Sequence, residues 1–569
     1  MRSIKIYPRY VGFLLGLLIL TLAGCGGGGK DYPADVSTQA QFVGATNCSQ
    51  CHTATYDDWL DTPHALARAN LPSADRDNPV CLQCHNTTQN PLDGVQCEAC
   101  HGPGGLHFGI GPIELSYQET VCQDCHTNEA ALSASHSEVY PQWAMSGHAD
   151  ELAAAWQEFS DEATGTRKST YPIEMSNSSD GNFVCFQCHN GIGSLSYIKD
   201  TILTPAATTV EENATAECAT CHNPHQETAT KTNALGDVTT TKHVRLPEAL
   251  SFNTSVPSSV PSVNRVFTFL DGSEIPPRIG NSLICLFCHQ GRSSGFILNT
   301  RRFGPATKSF ENDHYLAAGA VLWGRNGYEY LNRSYTRDIA HNNDGAAVDG
   351  NCVGCHMNNS NTGTEGGHTW KMVSEAGVEN VAACNAPACH NGAVTAFESF
   401  TINNVDHDGD GTIAGVAEEI GGINLDPVTG APIDGLLGAL VVTIENAPPN
   451  GFKYLPTSYP YFFRVDGVTR PTSGDWTDVT LAVAFNLNML FKTVKQDSPL
   501  PGGGFKGAVN VHNPYYTIQL LVDSLESLEA TARSVLPETQ VDLILANRPS
   551  FPTDDPARDY GSPDQLSLP

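Results

Sequence analysis

The pentad Cys48-Ser49-Gln50-Cys51-His52 sets the terms for the whole chain, because the same Cys-x-x-Cys-His spacing returns seven more times before residue 360. The pentads begin at Cys48, Cys81, Cys97, Cys122, Cys185, Cys218, Cys285 and Cys352. Their second thiols are Cys51, Cys84, Cys100, Cys125, Cys188, Cys221, Cys288 and Cys355, and they close on His52, His85, His101, His126, His189, His222, His289 and His356. Paired thiols followed at once by an imidazole form the attachment pattern of c-type haem. The thiols bond the porphyrin edge and the histidine ligates the iron. Zinc-binding Cys-x-x-Cys pairs do not place a histidine directly after every second cysteine. Each porphyrin is itself a flat apolar core, so the implied fold is mainly α and irregular with little sheet. The polypeptide wraps around a chain of stacked haems and ends in a helical, cysteine-free C-terminal region.

Nineteen cysteines less the sixteen of the pentads leave Cys25, Cys384 and Cys389. Cys384-Asn385-Ala386-Pro387-Ala388-Cys389-His390 carries four residues between its thiols, with His390 in the proximal place. It reads as a ninth haem site if Pro387 and its neighbours bulge outward, or else as a disulfide or two free thiols. Arg2, Lys5 and Arg9 precede the apolar run from Val11 to Leu22, which ends in Leu22-Ala23-Gly24-Cys25. That arrangement resembles a bacterial lipoprotein signal, in which residues 1–24 are removed and Cys25 is acylated. A plain cleaved secretion signal is the alternative. Residues 25–41, opening with Gly26 to Gly29, read as a flexible tether.

The formal charge is −30, and removal of residues 1–24 with their three cations makes it −33. Such an acidic chain is excluded from the nucleic-acid binders and suits cationic partners or positively charged mineral surfaces, unless the charge serves only solubility. Motif density divides the remainder into a four-haem module at 42–133, a two-haem module at 134–250, a three-haem module at 251–395 and the cysteine-free region 396–569.

The second axial position of each iron separates electron transfer from substrate chemistry, since an iron with two histidines carries electrons and an open one binds substrate. Beyond the nine proximal histidines stand His64, His107, His136, His148, His225, His243, His314, His341, His368, His407 and His512. His407 lies inside an acidic loop and is set aside. That leaves ten distal candidates for nine irons, one of them surplus.

Family resemblances add to the count. Cys97-Glu98-Ala99-Cys100-His101-Gly102-Pro103-Gly104-Gly105-Leu106-His107 resembles a segment of the cytochrome c554 and hydroxylamine oxidoreductase families, which implies that His107 ligates a neighbouring haem. Trp59-x-x-x-Pro63-His64-Ala65 and Trp143-Ala144-Met145-Ser146-Gly147-His148-Ala149 resemble the ligand helices of the same proteins, with Thr62-Pro63 departing from the serine spacing. His225 follows His222 too closely to share its iron. Further on, His314-Tyr315-Leu316-Ala317-Ala318-Gly319-Ala320, Gly327-Tyr328-Glu329-Tyr330, Cys352-Val353-Gly354-Cys355-His356-Met357 and Gly366-Gly367-His368-Thr369 look like the multihaem outer-surface cytochromes of metal-reducing bacteria. That resemblance covers about residues 280–535 and implies that His314, His341 and His368 are distal ligands.

Asp406-His407-Asp408-Gly409-Asp410-Gly411-Thr412 matches the opening of a calcium loop, with Asp406, Asp408, Asp410 and Thr412 as ligands. Position twelve is Ala417, so Glu418 would have to close the site one residue late; the alternative is a solvated acidic turn. Asp478 to Gln496 reads as a helix capped by Asp478, and Pro514 to Arg533 as a second, capped by Asn513 with Pro514 in the first turn. Ile518, Leu521, Val522, Leu525 and Leu528 recur at helical spacing as its packing face. His512, just before that cap, is either a ligand or a neighbour of the cap.

These observations point to a nonahaem electron-transfer lipoprotein at the outer membrane, on its periplasmic or cell-surface face. Its haem c groups would pass electrons between other c-type cytochromes, an outer-membrane porin–cytochrome conduit, and mineral or metal acceptors. It is an electron carrier more than a substrate-converting enzyme. The competing reading is a multihaem reductase of nitrite, hydroxylamine or a sulfur oxyanion with one open iron. No motif closes on lysine, and the histidines suffice for every iron. A filament subunit sharing histidines between copies is disfavoured by a lipid-tethered N-terminus.

Overall fold

The computed structural model describes residues 42–87, 92–106, 120–127, 139–157, 171–172, 186–191, 194–195, 209–210, 215–232, 238–246, 269–273, 275, 277–304, 308–314, 317–342, 351–358, 363–387, 389–397, 400–422, 424–495, 509–552 and 554–568. The leader and tether at 1–41 with Cys25, together with His107, His136 and Cys185, lie outside the described residues. The chain forms two compact units, residues 1–116 and 117–569. As the cofactor-wrapping argument requires, both are helical and irregular. Every sheet among the described residues has two strands, and the longest pairs Thr228–Thr232 with Val238–Lys242. No helix among the described residues is long and apolar enough to cross a membrane.

In the first unit the helices are one or two turns long; Leu82–His85 and Cys97–His101 lie within motifs, and Ala45–Cys48 and Thr53–Leu60 lead into and out of the first. A helical turn suits the pentad because residues three apart share a face, which puts both thiols on one side. Little apolar surface holds this unit together. A buried carboxylate makes up part of the difference, since Glu98 accepts from the backbone N–H groups of Val43 (2.8 Å), Gly44 (2.7 Å) and Gly104 (2.6 Å). Those bonds join the approach to the first motif to the loop leaving the third, and they solvate a charge that would otherwise be costly to bury.

The second unit contains a conventional core, running from Leu298 to Leu568 across the 395–396 division expected from motif density. Its centre is Asp478–Lys495, Pro514–Glu526 and Gly435–Glu445. The first of these begins one residue after its true cap. Thr477 Oγ1 accepts the Thr480 N–H at 3.0 Å, while Asp478, expected as the cap, is drawn into an ion pair with Lys308. Asn513 does cap the next helix, accepting the Tyr516 N–H at 3.1 Å. The single helix expected from Pro514 to Arg533 is two, Pro514–Glu526 and Glu529–Val535. Between them the Ser527 hydroxyl turns back to the Ser524 carbonyl at 2.7 Å.

Ile518, Leu521, Val522, Leu525 and Leu528 are all buried, as their spacing implied. The opposite face is buried too, and there polar groups are saturated. Asp523 takes Arg548 and the Tyr335 hydroxyl, and Gln519 bridges the Thr336 N–H and the Pro549 carbonyl. Glu329 and Arg337, 1% and 4% exposed, form a paired fork, with the Tyr516 hydroxyl and Arg558 N–H completing the carboxylate's bonds. Such a pair is tolerated in the core because every oxygen has a donor.

Candidate haem-ligand sites

The motif histidines are aimed by hydrogen bonds from their own rings. His85 Nδ1 lies 2.9 Å from the Ala67 carbonyl, His189 Nδ1 2.6 Å from that of Ala155, His222 Nδ1 2.7 Å from that of His243, and His356 Nδ1 2.9 Å from that of Trp370. A carbonyl only accepts, so Nδ1 must carry the proton and Nε2 is left with its lone pair. This is the tautomer a metal-ligating histidine needs. His341, outside the motifs, makes the same bond to Val511 at 2.6 Å.

In the second unit five motif histidines each face one of the histidines picked out as distal. Ring centroids are 6.2 Å apart for His289 and His148, 5.7 Å for His189 and His314, 6.1 Å for His222 and His368, 6.1 Å for His390 and His341, and 6.2 Å for His356 and His512. Two imidazole–metal bonds of about 2 Å on opposite sides of one iron separate ring centroids by roughly 6 Å. The residues therefore fit the group. Burial favours the neutral rings this requires: it pushes His148, His314 and His368 down to about 4, and His289 and His512 to about 3.

The seven-residue variant, Cys384 to His390, closes like the others. His52, His85 and His222 donate their N–H to the carbonyl of the first cysteine of their motif at 2.9, 3.0 and 2.8 Å, and His390 reaches the Cys384 carbonyl at 3.1 Å. Cys384 and Cys389 are not joined in a disulfide, as is true of the other described motif cysteines.

Thiols of different motifs also meet. Cys48 contacts Cys97, Cys188 contacts Cys288, and Cys285 contacts Cys352. Each unit holds a tryptophan that fastens a ligand segment to a motif. Trp59 donates to the Val95 carbonyl at 3.3 Å, two residues before Cys97, and Trp143 to the Ala216 carbonyl at 3.0 Å, two before Cys218. His64 and His148 follow these tryptophans. In the first segment Thr62 Oγ1 accepts from the Ala65 N–H, in the second Ser146 Oγ from that of His148, so the Thr62-Pro63 departure shifts the bond by one residue.

The sequence profile of the family described as cytochrome c554 and c-prime matches residues 47–102. The C-type polyheme cytochrome OmcB of Geobacter sulfurreducens is 26% identical over 474 residues, covering 71% of this chain and 54% of that protein. OmcC, a C-type polyheme cytochrome of the same organism, is 28% identical over 313 residues, covering 50% and 34%. This chain is a relative of the multihaem c-type cytochromes. Cytochrome c-554 of Nitrosomonas europaea is 33% identical over 97 residues, covering 12% of the chain and 41% of that protein. The chain spans about half the length of OmcB, and no solved structure matches it significantly.

For this multihaem cytochrome relative, covalently bound haem c follows from the kinship. The remaining distal candidates are placed as follows. His64 leads into the third motif, its carbonyl accepting the Val95 N–H at 2.9 Å. His225 donates its N–H to Asn223 Oδ1 at 3.3 Å. His243 is half-exposed, with Nδ1 3.0 Å from Glu227, and its carbonyl serves His222. Sequence reasoning had no access to those carbonyl acceptors, which carry no residue signature.

The acidic loop also converges. Asp406, Asp408 and Glu419 bring carboxylate oxygens within 4.8 Å of one another, as do Asp408, Asp410 and Glu418. Thr412 is exposed and donates its N–H to Asp410. Glu419, missing from the ligand set read from the sequence, is buried and accepts from His407, Asp408 and Ala414. Burial, with the neighbouring carboxylates, pushes Asp408 up to about 8 and Glu418 to about 7. A hard divalent cation relieves that repulsion. His407, buried, hydrogen-bonds through Nδ1 to the Asn547 carbonyl at 2.8 Å.

Proposed function

We propose that the chain is a nonahaem c-type cytochrome, lipid-anchored through Cys25 at the outer membrane, that conducts electrons between other cytochromes, a porin–cytochrome conduit and extracellular metal or mineral acceptors. The observation that carries this reading is the five facing imidazole pairs, which suit irons closed on both sides by nitrogen. Haem c supplies the one-electron couple. The chain's own residues would present Nε2 of the facing histidines to the iron, with Nδ1 of His85, His189, His222, His341 and His356 kept protonated against backbone carbonyls and the paired rings partly screened from water. His/His ligation gives low potentials compared with His/Met. The same proposal takes Cys384, Cys389 and His390 as the ninth site and Asp406, Asp408, Asp410 and Glu419 as a structural calcium site. Thr412 and Glu418 stand at its edge.

A pyridine haemochrome assay with low-temperature EPR of the oxidised protein tests the reading. Nine haems per chain, all low-spin, are expected. A high-spin ferric signal that shifts with nitrite, hydroxylamine or a sulfur oxyanion would replace the conduit with a reductase.

A further inference from the structure

Trp370 touches one histidine from each of three of the facing pairs. It ends the turn Gly367–Thr369, with a backbone φ of +53° that side-chain-bearing residues rarely adopt. Its indole packs edge-to-face against His148, centroids 4.6 Å apart at 87°, and against His368, 5.4 Å apart at 71°. Its carbonyl accepts the Nδ1 proton of His356 at 2.9 Å. One residue therefore contacts a ligand of the His289–His148 pair, a ligand of the His222–His368 pair and a ligand of the His356–His512 pair.

The surroundings hold it there. Gln142 Oε1 takes the His368 N–H at 3.0 Å from the residue next to Trp143, whose own indole fastens the His148 segment to the Cys218 motif. Gly366 faces the Asn358 carbonyl so closely that a Cβ would lie 1.9 Å from its oxygen, which fixes where the turn begins.

We propose that Trp370 is a positioning residue shared by three haem irons, setting the ring orientation of His148 and His368 through its indole and the basicity of His356 through its carbonyl. The inference rests on the haem reading above. Orientation and hydrogen bonding of an axial imidazole both tune the iron it ligates. The two routes can be separated, because a glycine keeps the left-handed backbone and its carbonyl while deleting the indole.

The test uses the full-length holoprotein, with EPR and a spectroscopic redox titration as readouts. His148→Met, His368→Met and His512→Met first assign the three low-spin signals; if none of these variants alters a signal, the haem reading itself fails. With the signals assigned, Trp370→Gly is expected to keep the haem count and move the signals and potentials belonging to His148 and His368, leaving that of His512 in place. Trp370→Val, whose branched side chain opposes φ +53°, should turn the carbonyl and move all three. Should Trp370→Gly not mature, Trp370→Asn, which also tolerates this backbone, carries the same expectation. Signals of His148 and His368 unmoved in the glycine or asparagine variant would overturn the proposal, as would a shift of the His512 signal equal to theirs.

Discussion

The first unit and the cysteine-free end of the second are held together by different means. Among the described residues of the first unit the buried apolar side chains are Ala45, Trp59, Ala67 and Leu71. In the second, Asp478–Lys495 alone buries a continuous apolar series from Leu481 to Phe491, interrupted by Asn486 and Asn488. Four side chains cannot offset the conformational entropy of ordering a segment this long. The first unit must therefore take its core from what its thiols bind. The C-terminal region carries its own core and so holds His512, proposed above as a ligand, from a frame built of its own side chains.

The sharpest break of that comparison is to withhold the cofactor. A chain produced without haem attachment should lose residues 42–106 to protease on the order of tenfold faster than the Leu436–Leu545 region, since cleavage follows local opening. Limited proteolysis with mass spectrometry checks this, and equal resistance of both regions would refute it. Next in size, Glu329→Leu leaves the Arg337 guanidinium buried without its carboxylate, and Leu481→Ala opens a cavity. These should cost about 3–5 and ~2–5 kcal/mol in denaturant titrations, with the low-spin spectrum of the folded protein unchanged.

The proposed calcium site would make a smaller contribution on the same side. Removing free calcium from about 100 times its Kd should lower stability by about 2.7 kcal/mol, and Asp408→Asn should abolish that dependence; a wild-type melt indifferent to chelator would leave the loop as a solvated turn. The least effect belongs to Asp475, which is held down to about 2 by the Thr472 N–H and then the Arg464 guanidinium. A depressed carboxylate stabilises above its unfolded pKa near 3.9 and loses that contribution as pH falls toward about 2. Asp475→Asn should thus cost about 1 kcal/mol at neutral pH and nothing at the acid end, read from melts across pH.

What could be read in advance follows from how local each cause is. The Cys-x-x-Cys-His pattern is confined to about one helical turn, so the helical turns at Leu82–His85 and Cys97–His101 were legible in the sequence. The helix from Asp478 announced itself by apolar content, and the packing face of Ile518 to Leu528 by its period. Ligand pairing is another matter: His148 faces His289, and His314 reaches back to His189, over separations that no period records. Gln519 and Asp523 lie in the core because Thr336, Pro549, Tyr335 and Arg548 arrive there from distant segments. Counting along a calcium loop of the usual length leads to Glu418, which does converge with Asp408 and Asp410, but gives no sign that the helix Val416–Ile420 also turns Glu419 inward.

The bond from His390 N–H to the Cys384 carbonyl has a consequence beyond this chain. It makes two inserted residues invisible to the geometry that counts, since the loop returns to the same atom whether two or four residues separate the thiols. On the proposed nonahaem reading, surveys that enumerate cofactor capacity by a five-letter text pattern would score this protein one short. A search rule written as ring closure, histidine amide to first-cysteine oxygen, would recover such sites across genomes.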